Sequence, residues 1–245
     1  MDNTIYVGLS HQMALRRRLD VIANNIANMN TTAFKNEDVM FQQYLAEATE
    51  TSGATGEPVS MVYDVGTSRD MAEGEIAPTG NPLDVAIQGD GYFTVLGADG
   101  VERYTRNGHF QLNADGVLVT SSGESVLGVT GNEIELDPAD TSLSIASDGT
   151  ITTSTGIAGQ LNVVQFDENQ RPLKVGNSLY ESDFVPTPAE NIRVEQGMLE
   201  SSNVVPVMQI TKMIELLRSY QSTGRLLSDY QDLQRRAVRT LGQFG

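Results

Sequence analysis

Apolar positions near the start of the chain recur at helical spacing. Leu15, Leu19, Ile22, Ile26 and Met29 step by four, three, four and three residues, which places them on one stripe of a helix. Carried backwards, the same register reaches Gln12, Gly8, Ile5 and Met1, so the stripe weakens toward the first residue. Asp2 or Asn3 supplies a side-chain oxygen for the N-cap. The helix is expected to stop near Asn28 to Asn30, because Asn tolerates the left-handed turn and Thr31 and Thr32 propagate helix poorly. The far end of the chain has a similar pattern. Ser201, Ser202 and Asn203 are good N-cap residues, Pro206 falls in a first helical turn, and no further proline follows. Ile210, Met213, Leu217 and Tyr220 form one stripe. Leu226, Tyr230, Leu233, Ala237 and Leu241 form a second, slightly rotated, with a bend expected near Gly224.

Between the two helical ends the period changes. Asp99-Gly100, Asn107-Gly108, Asp115-Gly116 and Asp148-Gly149 are turn dipeptides at close spacing. Short strand-like runs separate them at 91–95, 109–112, 117–120, 143–145 and 161–166. This is the pattern of a compact antiparallel β domain. Residues 46–80, rich in Gly, Thr, Ser and Glu, read as a linker with little to pack. Two one-sided helices are marginal alone and are expected to cover each other. The predicted fold class is therefore α+β: long N- and C-terminal helices packed as a coiled-coil-like domain, with a central, mostly antiparallel β domain. The expected boundaries are 1–35 for the N-terminal helical half, 36–80 for an extended linker, 81–190 for the β domain and 191–245 for the C-terminal helical half.

Charge sharpens this division. The chain has 245 residues and a net charge of −16. Residues 1–50 carry four basic and six acidic side chains, residues 51–200 six and 23, and residues 201–245 six and three. The acidic middle argues against a nucleic-acid surface, which needs a basic patch. There is no cysteine, so disulfides, thiolate metal sites and cysteine nucleophiles are excluded. The first twenty residues lack the charged leader, apolar core and cleavage site of a secretory signal, which fits a cytoplasmic protein or one exported without a cleaved leader.

Candidate chemistry is thin. His11 and His109 stand alone in a helix and a strand, and read as satisfied or exposed rather than as ligands or bases. Gly89-Asp90-Gly91 opens like a dinucleotide loop but lacks the third glycine and begins no helix. The acidic middle could hide a glycosidase-type carboxylate pair, but no spacing singles one out and no tryptophan is present for sugar stacking. No catalytic residue, metal site, cofactor or small-molecule substrate is expected, and Arg16-Arg17-Arg18 reads as a solvated helix face.

Three segments resemble the flagellar basal-body rod and hook protein family. The first runs from Leu19 through Asn24, Asn25 and Asn28 to Phe34-Lys35; Ala33 stands where relatives usually carry Gly. The second is Asn81 to Phe93 with Tyr104 to Thr120, and the third is Gly197 to Val204 with Met208 to Leu217. They occur in the family's order and together cover most of the chain. A hook protein has a much larger middle, so the length favours a rod subunit. The short segment from Leu45 to Asn81 and the motif from Pro78 to Val85 resemble the proximal-rod version, with a distal-rod protein of the same family as the alternative. The resemblance implies a non-enzymatic subunit exported through the flagellar export apparatus into the periplasm-spanning rod. There it would associate with itself and with other rod proteins and carry torque through buried helix contacts. The expected assembly residues are Leu15, Leu19, Ile22, Asn24, Asn25, Ile26, Asn28, Phe34, Ile210, Met213, Leu217 and Tyr220. Asn25 is weighed as a helix cap or as a register-fixing pair across helices, and Phe34 is expected to be plain packing. A secreted β-rich adhesin or phage-tail component is the alternative of a different class.

Overall fold

The computed structural model describes residues 3–46, 59–137, 142–167, 170, 172–176, 178–190 and 192–241. It contains two long helices and many short antiparallel strands, an α+β fold. The chain forms two compact units. One comprises Met1–Met29, Asn36–Met71 and Val204–Gly245; the other comprises Asn30–Lys35 and Ala72–Asn203.

The first unit holds helix α1 (Asn3–Ala27), strands β1 (Glu37–Ala46) and β2 (Val59–Arg69), and helix α2 (Pro206–Leu241). The helix ends fall where the sequence puts them, although the Asp2 cap lies outside the described residues. The expected linker over 36–80 differs. β1 and β2 pair as an antiparallel ribbon from Glu37↔Arg69 to Ala46↔Val59, with a bulge between Met40 and Phe41. The reason is compositional. Val39, Met40, Phe41 and Tyr44 in β1, and Val59, Met61, Val62, Tyr63 and Val65 in β2, are strand-forming residues. Averaging across the Gly- and Thr-rich 47–58 segment hides them.

The second unit is the β body. Its largest sheet runs in the order Leu173–Gly176, Leu179–Glu181, Glu102–Thr105, Tyr92–Leu96, Ser125–Val126, Leu118–Thr120, Phe110–Leu112. Val163–Gln165 joins at Tyr92–Leu96 and carries Thr187–Pro188 on its other side. A three-stranded sheet spans Ser144–Ile145, Thr150–Thr153 and Gly156–Gln160. Two short pairs complete the unit: Val85–Gln88 with Arg193–Gln196, and Ile76–Pro78 with Met198–Glu200. The strands foreseen from sequence are all present within a residue or two. Phe93 and Val95 enter the core with Val85, Ile87, Phe110, Leu118, Val126 and Ile151, and Phe93 meets Phe110 edge to face at 5.1 Å. Tyr92 and Thr94 on the opposite side of the strand are also buried. Cover on both faces explains why this strand reads as a continuous rather than alternating apolar run. The expected boundaries at 81 and 190 shift outward to 72 and 203, because the strands Ile76–Pro78 and Met198–Glu200 belong to the body. The turn at 30–35 joins it too, whereas 36–71 goes with the helices.

Candidate assembly surface and a buried charge cluster

The helix pair is built on a narrow seam. Leu15, Ile22 and Leu216 are buried together, with Leu19, Ile26, Met213 and Tyr220 packed around them. Gly8 lies against Leu227, where an added Cβ would sit 2.5 Å from Leu227 Cδ2, and Gly224 faces Gln12 Nε2 at 3.2 Å from the same construction. Position 8 meets 227 and position 12 meets 224, so the helices run antiparallel. Of the expected α2 stripe, Met213 and Tyr220 face α1, while Ile210 and Leu217 point outward. Leu226 and Leu233 of the second stripe are exposed as well. The covered positions 213, 216, 220 and 227 continue one heptad-like register, and Ile210 and Leu217 belong to the neighbouring one. From sequence both registers are apolar, and only the position of α1 distinguishes them.

A second face of α1 meets the ribbon. Asn25 is buried, and its amide forms two hydrogen bonds with the main chain of Glu37: Nδ2 donates to the carbonyl at 2.7 Å, and Oδ1 accepts from the N–H at 3.0 Å. It therefore neither caps the helix nor bridges to α2; it docks the start of β1 on α1. Asn24 is exposed, and its carbonyl accepts from Asn28 Nδ2 at 2.9 Å, which closes the end of the helix. Asn25→Ala removes two hydrogen bonds to the half-buried main chain of Glu37, so a loss of about 1–3 kcal/mol is expected, measured by urea unfolding.

What remains outside is strongly apolar. Tyr6, Leu9 and Met13 cluster on one side of α1, away from the seam. On α2, Val207, Ile210, Ile214 and Leu217 recur at spacings of three and four, and range from 42% exposed at Leu217 to 73% at Val207. Scattered exposed apolar residues are ordinary on a surface, but an ordered stripe over three turns of one helix is a surface that awaits a partner.

The β body contains a different feature, which sequence reading did not assign. Lys35, Glu200 and Arg106 are buried together. Lys35 Nζ donates to Glu200 Oε1 at 2.5 Å and to the Ala72 carbonyl at 2.8 Å. Arg106 Nε donates to Glu200 Oε2 at 2.8 Å, and its Nη1 donates to the carbonyls of Gly89 and Gly91 at 3.0 and 2.9 Å. Gly74 N–H adds a third donor to Glu200 at 3.0 Å, and Glu73 stands 3.6 Å from Arg106. Burial alone would raise the Glu200 carboxyl, but Arg106 and then Lys35 overcome it and hold the group below the usual carboxylate range. Burial pushes Lys35 down, offset in part by Glu200. Each of the three segments that carry the family resemblance contributes one member. Phe34 is buried, with Lys174 Nζ 4.5 Å over its ring. The signal in the sequence was a charged residue in each of the three segments; their pairing needed the fold.

Among the described residues no cluster of acidic and His side chains could hold a metal ion, and no helix is long and apolar enough to cross a membrane. An exposed apolar stripe on α2 and, in the other unit, a buried charge cluster that ties the β body's own segments together are features of a structural subunit. Comparison with known proteins agrees. The family model described as "Flagella basal body rod protein" matches residues 5–35. The "Flagellar hook protein FlgE/F/G D1 domain" matches residues 86–153, and the "Flagellar basal body rod FlgEFG protein C-terminal" matches residues 195–240. The chain is 42% identical to the flagellar basal-body rod protein FlgF of Caulobacter vibrioides over the whole of both chains. It is 34% identical to FlgF of Mesorhizobium japonicum over 99% of each, and 31% identical to FlgG of Bacillus subtilis over 97% of this chain and 98% of that one. The chain belongs to the flagellar basal-body rod protein family.

Proposed function

We propose that this protein is a proximal-rod subunit of the FlgF type, exported through the flagellar export apparatus. It would be built into the periplasm-spanning rod together with copies of itself and with other rod proteins. In the rod the α1–α2 pair would act as a coiled-coil-like element. The supporting observation is the apolar stripe left uncovered on α2, Val207 to Leu217, together with Tyr6, Leu9 and Met13 on α1. Leu15, Leu19, Ile22, Ile26, Met213 and Tyr220 shape the pair from inside, and Asn25, Asn28 and Phe34 set its connections. Among the residues singled out from sequence, the exposed Ile210 and Leu217 would touch a neighbour. Covering such stripes by a heterologous contact whose rotation does not close would extend a helical tube. Torque would then pass through many buried helix contacts, and no catalytic residue is invoked.

The test is made in the protein's own host. Cells lacking the gene are expected to be non-motile, with basal bodies that lack a complete rod and hook. Ile210→Lys with Ile214→Lys should reproduce that defect while circular dichroism of the purified chain stays unchanged, because both side chains are outside the core. Normal swimming with complete hook–basal bodies in the double variant would remove this stripe from the interface. Normal swimming in the deletion strain would remove the rod assignment itself.

A further inference from the structure

We propose that the Lys35–Glu200–Arg106 cluster is a clasp that closes the two connectors of the β body on each other and thereby templates the pairing of α1 with α2. The connectors are the turn 30–35, which begins three residues after α1 ends, and the segment 200–203, which leads into α2 at Pro206. Both lie in the same compact unit as the sheet core. Main-chain bonds stitch them together: Ala33 N–H donates to the Glu200 carbonyl at 2.8 Å, and Asn203 N–H to the Phe34 carbonyl at 3.3 Å. Asn203 Nδ2 also donates to the Ala72 carbonyl at 3.0 Å, the same oxygen that Lys35 reaches. Ala33 adopts a left-handed φ of 55° to make this turn. Such a conformation is unfavourable for a residue with a Cβ and persists only where its surroundings impose it.

The helices depend on this arrangement because their own seam is small. Leu15, Ile22 and Leu216 are its buried members, too few to close a long chain by themselves. With the clasp closed, the connector that follows α1 and the one that precedes α2 are held side by side, which favours the meeting of the two helices. The sheet core contains neither helix. The charged groups facing Glu200 are Lys35 and Arg106, with Glu73 behind Arg106. Protonating Glu200 leaves both cations buried without their shared carboxylate, so acid opens the clasp.

Hydrogen exchange on the full-length chain tests this. In Glu200→Gln, amides of α1 and α2 should lose more protection than those of Tyr92–Leu96. Lys35→Met, which leaves the Arg106–Glu200 pair in place, should act in the same sense with a smaller change. Unchanged helices, or helices and sheet weakened by one common factor, overturn the proposal. The wild-type chain gives a reading that needs no variant. As pH falls through the Glu200 transition, the protection of α1 and α2 amides should decline before that of Tyr92–Leu96; simultaneous loss of both overturns it.

Discussion

Glu200→Ala is expected to lower the stability of the protein by about 3–5 kcal/mol, the largest effect of any single change outside the aliphatic core. Glu200 and Lys35 side chains are each 1% exposed. Removing the carboxylate leaves two buried cations, of which Lys35 keeps only the Ala72 carbonyl as a described hydrogen-bond acceptor. The loss reflects these orphaned charges and not a large net value of the ion pairs, because desolvation offsets most of what a buried pair gains. Lys35→Met combined with Glu200→Gln should therefore cost less than the sum of the two single changes. Urea unfolding of the four proteins measures the coupling, and strict additivity would show that the groups do not act together. The same cluster sets an acid dependence. The folded chain holds Glu200 below its unfolded value, so the unfolded chain binds the proton more readily and stability falls with pH. The contribution is complete above the ordinary glutamate value of about 4.3 and is lost as pH drops through the lower folded value. Glu200→Gln should make the acid limb of the stability curve shallower.

The second large effect is expected at Gly108. A Cβ built there would lie 1.7 Å from the Val85 carbonyl oxygen and 3.1 Å from Phe93 Cε2. The first contact is with main chain of a core strand and cannot be relieved by a rotamer change. Gly108→Ala must push Val85–Gln88 away from its neighbours, break the Val85 N–H to Gly108 carbonyl bond at 3.0 Å, and disturb the Phe93–Phe110 pair. Overpacking of this kind costs about 3 kcal/mol or more. Gly100→Ala is the control. Gly100 has φ of 76° and open space around it, so the substitution meets only the left-handed backbone penalty of about 1–2 kcal/mol. Equal effects at the two positions would contradict the geometry.

That pair of glycines shows where sequence reading stops. Asn107-Gly108 and Asp99-Gly100 look alike as turn dipeptides, and as markers of strand ends both served well. Yet Gly100 is required by a dihedral angle, and Gly108 by a strand that arrives from more than twenty residues away. The same holds for the ribbon β1–β2. Its strand-forming residues were present in the sequence, but a composition window that included 47–58 turned them into a linker.

Local information determined the helices, their ends, several strands of the β body and the family. Periodicity, capping residues and turn dipeptides act over a few neighbours, and the sequence states them directly. Tertiary structure alone decided which of two apolar registers on α2 is covered by α1 and which is left for a neighbour, since both read alike until the partner helix is in place. It decided that Asn25 holds the main chain of Glu37. It also brought Lys35, Arg106 and Glu200 together from three distant segments. Charges that far apart in the chain meet only when the sheet between them has closed, and no spacing rule along a sequence records that encounter.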